Sequence, residues 1–311
     1  MNYRQLGDSD LRVSEICLGT WTTFGGSLAD DDAIALVDAA FDAGVNFFDT
    51  ANIYSQGRSE EILGRALAGR PRDSFVVATK LWAEMPNGDR GLSREQIHKQ
   101  IDDSLGRLQL DHVDLYQAHS FDEDVPLEET LAAFTEVVNA GRVRFIGVSN
   151  WNGEQIQRGV DICREHGFAK PVSSQPEYSL LYREPEQEVI PASRENGISQ
   201  IVYSPLAQGV LSGKYRVDEE FGEGTRASAR GDLMSEYLTR ERLERVERLR
   251  PIADGLGLTM VQLALAWILR EPNVASAIVG ASRPEQLRDN AAASGVELDD
   301  ATLHAIDTVF A

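Results

Sequence analysis

Along this chain of 311 residues a short apolar run reading as a strand gives way, again and again, to an amphipathic helix pattern. Most repeats fall roughly 30 residues apart, the length of one βαβ unit. Strand-like runs occupy Glu15–Thr20, Phe47–Asp49, Ser74–Lys80, His112–His119, Val143–Asn150, Pro171–Gln175, Ile198–Ser204 and Val274–Gly280. Between them lie helical patterns such as Ile97, Ile101, Leu105 and Leu108 behind a capping Ser93, and Ile34, Val37 and Phe41 behind the N-cap acids Asp30, Asp31 and Asp32. Regular alternation requires parallel strands joined by crossover helices. Eight such strands at this length point to an α/β fold of one kind, a single (β/α)8 TIM barrel. The rival is a doubly wound open sheet, but no Gly-x-Gly-x-x-Gly follows the first strand.

Two departures from the repeat are visible. Tyr3–Leu6 and Leu11–Ser14, split by the turn cluster Gly7-Asp8-Ser9-Asp10, predict an N-terminal β-hairpin ahead of the barrel. After Ser204 a polar, glycine-rich stretch from Gln208 to about Ser235 has little periodicity, and so long a connection in a compact domain is usually functional. Helices resume over Thr239–Leu256, Thr259–Leu269, Pro284–Ala292 and Asp299–Phe310, which predicts extra C-terminal helices. No linker or low-complexity tract divides the chain, so residues 1–311 read as one domain.

Composition narrows the partners. The net charge of −20 excludes a basic face for nucleic acid. No apolar run approaches the roughly 20 residues that span a bilayer, and Met1–Gln5 opens no signal-peptide core, so the expectation is a soluble cytoplasmic protein with no membrane partner. Cys17 and Cys163 lack metal spacing and read as core thiols; no metal is expected. Lysine occurs only at Lys80, Lys99, Lys170 and Lys214, all other basic residues being arginine. An acid-rich, lysine-poor surface suits high salt, where self-repulsion is screened; a GC-rich genome is the alternative cause. Oligomeric state stays open.

In a barrel of this kind chemistry gathers where the strands end at the C-terminal face. The strand ends read Gly19-Thr20-Trp21, Asp49, Lys80, His119, Ser149-Asn150, Gln175, Tyr203-Ser204 and Gly280-Ala281-Ser282-Arg283. Each polar residue alone has a structural use; Asp, Lys and His at the ends of three successive strands have no structural reason to coincide. Together with Tyr54 they fit one chemistry. A tyrosine hydroxyl can protonate a carbonyl oxygen, and a lysine ammonium nearby lowers its pKa. Asp49, costly beside apolar neighbours unless paired, holds that lysine charged. His119 orients the carbonyl by a hydrogen bond. None of these side chains supplies hydride, so a cofactor is needed.

These residues stand in motifs that resemble the aldo-keto reductase family: Phe47-Phe48-Asp49-Thr50-Ala51 with Tyr54, Ala78-Thr79-Lys80, Asp114-Leu115-Tyr116-Gln117-Ala118-His119, Gly147-Val148-Ser149-Asn150 and Tyr203-Ser204-Pro205-Leu206. The resemblance covers nearly the whole chain. It implies a catalytic tetrad of Asp49, Tyr54, Lys80 and His119, with NADPH (NADP+) bound without a Rossmann fold. It further implies that Ser149, Asn150 and Gln175 hold the nicotinamide amide and that Tyr203 stacks on its ring. Ser204, Pro205, Leu206, Gln208 and Gly209 would line the pyrophosphate, under a loop carrying Lys214 and Arg226. Gly280, Ser282 and Arg283 would meet the 2′-phosphate, and Gln286, Asp289 and Asn290 the adenosine. Gly19, Thr20, Trp21 and Asp49 complete the cofactor wall. Within the family the chain looks closest to the branch containing β-subunits of voltage-gated potassium channels, carried by Arg90-Gly91-Leu92-Ser93-Arg94, Leu206–Tyr215, Arg226-Ala227-Ser228 and Gly280–Leu287. The mammalian channel subunits have Asn where this chain has His119.

The substrate pocket is expected above the nicotinamide, formed by Trp21, Phe24, Tyr54, Trp82, His119 and Trp151, a mouth suited to small-molecule carbonyl substrates with apolar or aryl groups. The expected activity is NADPH-dependent reduction of aldehydes and ketones to alcohols, of the alcohol dehydrogenase (NADP+) type. The alternative is an NADPH-binding, redox-sensing regulatory subunit of a membrane channel or transporter. A barrel isomerase or lyase is a third class, with no evident phosphate-substrate site or metal cluster behind it.

Overall fold

The computed structural model describes residues 1–218 and 234–310. The hairpin forms as Tyr3–Gln5 (β1) and Arg12–Ser14 (β2), antiparallel, with Tyr3 opposite Ser14. Eight parallel strands then close on themselves: β3 (Ile16–Gly19), β4 (Phe47–Asp49), β5 (Val76–Leu81), β6 (Val113–Ala118), β7 (Val143–Ser149), β8 (Ser173–Gln175), β9 (Ser199–Val202) and β10 (Val274–Val279), with β10 returning to β3. The (β/α)8 TIM barrel is therefore observed, and so is the hairpin before it.

Helices α1 (Asp30–Asp42), α2 (Arg58–Leu67), α3 (Arg94–Leu108), α4 (Leu127–Asn139), α5 (Gly153–His166) and α6 (Val189–Glu195) wrap the first seven strands. The C-terminal helices are α7 (Arg240–Glu247), α8 (Arg250–Leu256), α9 (Met260–Leu269), α10 (Pro284–Ala291) and α11 (Asp300–Phe310). Two expectations are corrected. Residues 239–256 do not form one helix: Pro251 enters at the first turn of α8, where it has no N–H to continue the preceding ladder. Asp30, Asp31 and Asp32 do not cap α1; the N-cap is Ala29, and the three acids lie in the first turn, where they oppose the positive end of the helix dipole. Ser93 caps α3 as expected, accepting from the Gln96 amide.

Strand periodicity sorts the core in two. Inward residues Cys17, Phe47, Val76, Ala78, Leu115, Val172, Ile201 and Ala275 fill the barrel, joined by Leu6, Leu11 and Val13 of the hairpin. The outward set packs against the helices. The hairpin turn is bound to the N-terminal end of β9: the Gly7 amide donates to Ser199 Oγ (2.9 Å) and the Asp8 amide to the Gly197 carbonyl (2.9 Å). That end of the barrel is stoppered, and the C-terminal face remains for ligands. Among the described residues no single helix is long and apolar enough to cross a membrane.

Candidate active site

The register β3–β4–β5–β6 carries Asp49 beside Ala78 and Lys80 beside Gln117. Asp49 and Lys80 both face inward at the C-terminal end, so the acid and the base meet over the apolar barrel fill. Lys80 Nζ lies 2.5 Å from Asp49 Oδ1, donates to the Thr50 carbonyl at 2.8 Å and reaches the Tyr54 hydroxyl at 3.5 Å. Its side chain is fully buried. A buried ammonium would normally lose its proton; burial pulls its pKa down, but the Asp49 charge and the Tyr54 hydroxyl outweigh that and leave it raised.

Tyr54 differs from expectation. Burial raises its pKa, Lys80 lowers it and Asp49 raises it again; the net direction is upward, not downward. Lysine's field is partly cancelled by its own counter-ion. Tyr54 therefore holds its proton firmly, with the Lys80 ammonium 3.5 Å from its hydroxyl.

His119 follows β6, and its ring meets the Tyr54 ring edge-on, centroids 5.7 Å apart. Burial and the Lys80 charge push its pKa down to about 3, so the imidazole is neutral across the physiological range. Its buried Nδ1 has no hydrogen-bond partner among the described residues. A string of hydrogen bonds sets the residue's backbone: Tyr203 Oη donates to Asn150 Oδ1 (3.0 Å), and Asn150 Nδ2 donates to the His119 carbonyl (3.1 Å).

Gln175 ends β8 beside the Asp49–Lys80 pair. Its Nε2 donates to Asp49 Oδ2 at 3.0 Å, so in this state it holds the carboxylate. Gln117 Nε2 approaches the same oxygen at 3.5 Å. It finds room because Gly147 lies beside it; a Cβ there would stand 2.3 Å from Ser173 Oγ and 3.1 Å from Gln117 Cγ. Sequence reading missed Gln117, although a glutamine on the inward face of an otherwise apolar strand was the available signal.

The remaining expected residues divide. Gly19, Thr20 and Ser149 are at strand ends, Ser149 Oγ donating to the Gln175 carbonyl at 2.8 Å. Trp21 and Trp82, each just past a strand end, are exposed, 42% and 39% accessible. Phe24 and Trp151 do not line an open mouth. Phe24 is fully buried beneath it, and Trp151 packs edge-on against Phe121 (5.1 Å) and against Gly159 of α5 in the helix layer. After β9 the backbone is left-handed at Ser204 (φ 51°), Ala207 (φ 46°), Gln208 (φ 56°) and Gly209 (φ 94°), a conformation costly for the first three that clusters at ligand sites. Pro205 and Leu206 lie between them. Lys214 Nζ hangs over Gly209, 3.2 Å from where a Cβ would stand. Past β10, Gly280 faces open space, Ser282 bonds through N and Oγ to Gln286 Oε1 (2.9 Å each), and Arg283 is exposed. Asp289 accepts from Gln262 Nε2 (2.7 Å) and Thr259 Oγ1, bracing the capping box of α9, and Asn290 is buried on α10. Arg226 lies outside the described residues.

The mouth carries positive charge suited to an anionic group. Most cations of this acidic chain lean on a carboxylate, yet Lys214 and Arg283 have none among the described residues, and they stand on neighbouring loops of the mouth. A family model for aldo/keto reductases matches residues 15–311, so the whole barrel falls within the match. Such proteins are nicotinamide-dependent oxidoreductases of carbonyl compounds, and this chain belongs to the aldo/keto reductase family.

Proposed function

We propose that the protein is an NADPH-dependent aldehyde and ketone reductase in which Tyr54 delivers the proton. The observation that carries this reading is the buried chain Asp49–Lys80–Tyr54 beside a neutral His119. Tyr54 donates its proton to the carbonyl oxygen as negative charge develops there. Lys80, held charged by Asp49, stabilises the phenolate left behind. His119, neutral and with no partner for Nδ1 among the described residues, offers its one N–H as an orienting hydrogen bond and does not compete as an acid. Trp21 and Trp82 give the mouth aromatic surface for apolar or aryl carbonyls.

NADPH supplies the hydride when bound. Ser149, Asn150 and Gln175 would hold its amide, with Tyr203 against the ring; Ser204–Gly209 and Lys214 would line the pyrophosphate. Arg283 with Ser282 would take the 2′-phosphate, for which a guanidinium fork is suited, and this favours NADPH over NADH.

The test is absorbance at 340 nm with NADPH and a panel including 4-nitrobenzaldehyde and methylglyoxal. Multiple turnovers are expected. In Tyr54→Phe, NADPH affinity should stay near wild type while turnover falls by at least about 100-fold; turnover near wild type would sink the mechanism. One slow turnover with cofactor retained would support the regulatory-subunit reading instead.

A further inference from the structure

Tyr54 rises from an unusual turn. The three residues after it, Ser55 (φ 48°), Gln56 (φ 58°) and Gly57 (φ 91°), are all left-handed. Two of them carry side chains, for which this region is unfavourable, and such a run persists only where neighbours impose it. Ser55 Oγ donates to the Phe24 carbonyl at 3.0 Å. A Cβ on Gly57 would stand 2.7 Å from Arg107 Cδ, so the arginine stem of α3 lies directly against the turn.

The first turn of α2 follows at once, and it is bolted to three strand ends. Ser59 Oγ donates to Thr20 Oγ1 beyond β3 (2.7 Å) and shares a hydrogen bond with Thr50 Oγ1 beyond β4 (3.2 Å). Glu60 accepts from Thr79 Oγ1 of β5 at 2.5 Å and from Arg107 Nε at 2.7 Å. Ser59, Glu60, Thr20, Thr50 and Thr79 are all buried with no exposed surface. A carboxylate there is tolerated only because both its oxygens are bonded and a guanidinium neutralises it.

The connectivity gives these bonds a job. Thr79 and Lys80 are successive strand residues, so their side chains leave opposite faces of β5. Lys80 points into the barrel toward Tyr54; Thr79 points out toward Glu60. Thr50, tied to Ser59, is also the residue whose carbonyl accepts from Lys80 Nζ. The same helical turn therefore grips the turn that carries Tyr54 and the strand that carries Lys80. We propose that Ser59 and Glu60 are positioning residues: through the Thr79–Glu60–Arg107 and Thr20–Ser59–Thr50 bonds they set the separation between the Tyr54 hydroxyl and Lys80 Nζ. This rests on the reading of Tyr54 and Lys80 as the proton-delivery pair.

The experiment uses the full-length protein. Glu60→Ala is unsuitable, because it strands Arg107 and Thr79 and invites misfolding. Thr79→Val keeps shape and removes the donor, and Thr79→Ser restores a hydroxyl. In Thr79→Val, kcat for a reducible aldehyde should fall about 10- to 100-fold, the scale of a misplacement near 1 Å, with KM and NADPH affinity within about twofold, since the variant's side chain touches neither substrate nor cofactor. Thr79→Ser should recover most of kcat. A crystal structure of Thr79→Val should show the Tyr54–Lys80 distance lengthened from 3.5 Å. Unchanged kcat with the distance kept would overturn the proposal. So would a kcat loss matched by loss of NADPH binding, which is what general loosening would produce. Should the wild type prove inactive on every carbonyl, the proposed activity fails, while the crystallographic distance still decides the clamp.

Discussion

His119 is the residue whose chemistry is most altered by its place. Its pKa of about 3, set by burial and by Lys80, makes it a bystander to pH in the activity and a liability to stability. Between its unfolded value near 6.5 and that low folded value, the unfolded chain binds a proton that the folded one refuses, so stability must fall as the pH is lowered through that window. His119→Asn should flatten this fall; a melting-temperature profile from pH 7 to pH 4 that is parallel in wild type and variant would contradict it. Tyr54, with its pKa raised, should keep reductase activity free of a tyrosine limb until the pH exceeds about 10; a descending limb of kcat near pH 7 or 8 would show that another group, or a bound charge, governs the proton. The partnership of Asp49 with Lys80 was legible in sequence, because a carboxylate ending an apolar strand demands a cation and lysines are few. The direction of Tyr54's shift was not, since it depends on how burial balances against two opposing charges.

At the scale of elements, the turn from Tyr54 into α2 is the part under most constraint. Gly57→Ala places a Cβ both at a left-handed φ and against an arginine pinned by Glu60, and should cost about 1–2 kcal/mol from the backbone alone. Differential scanning calorimetry would read this as a lower midpoint; an unchanged midpoint would mean that the turn relaxes freely. Glu60 could have been noticed in sequence: it lies three and seven residues before Leu63 and Leu67, on the apolar side of its own helix, where an acid needs an explanation. The strands and most helices were legible for the same reason, periodicity. Phe24 and Trp151 were not placed correctly, because an aromatic just past a strand end can turn up to the mouth or down into the helix layer, and only the path of the loop decides. The break before Pro251 was missed because the apolar stripe of Leu243, Val246, Leu249 and Ile252 runs through it without interruption.

For the molecule as a whole, a net charge of −20 means that compactness is opposed by self-repulsion, which salt screens. Thermal stability should therefore rise as KCl is raised from low concentration toward molar levels; a maximum in dilute buffer would remove the idea of a salt-adapted surface. The closed sheet was legible from the count of strands, and the hairpin from its turn residues, but that the hairpin seals the barrel was not, because Leu6, Leu11 and Val13 find their place only when strands distant in sequence come together. That seal has a kinetic consequence. A vessel stopped at one end has a single door, and two reactants using it must queue: the one seated deeper goes in first and comes out last. Turnover would then be ordered rather than random, and product-inhibition patterns would show whether release of the deeper guest sets the pace.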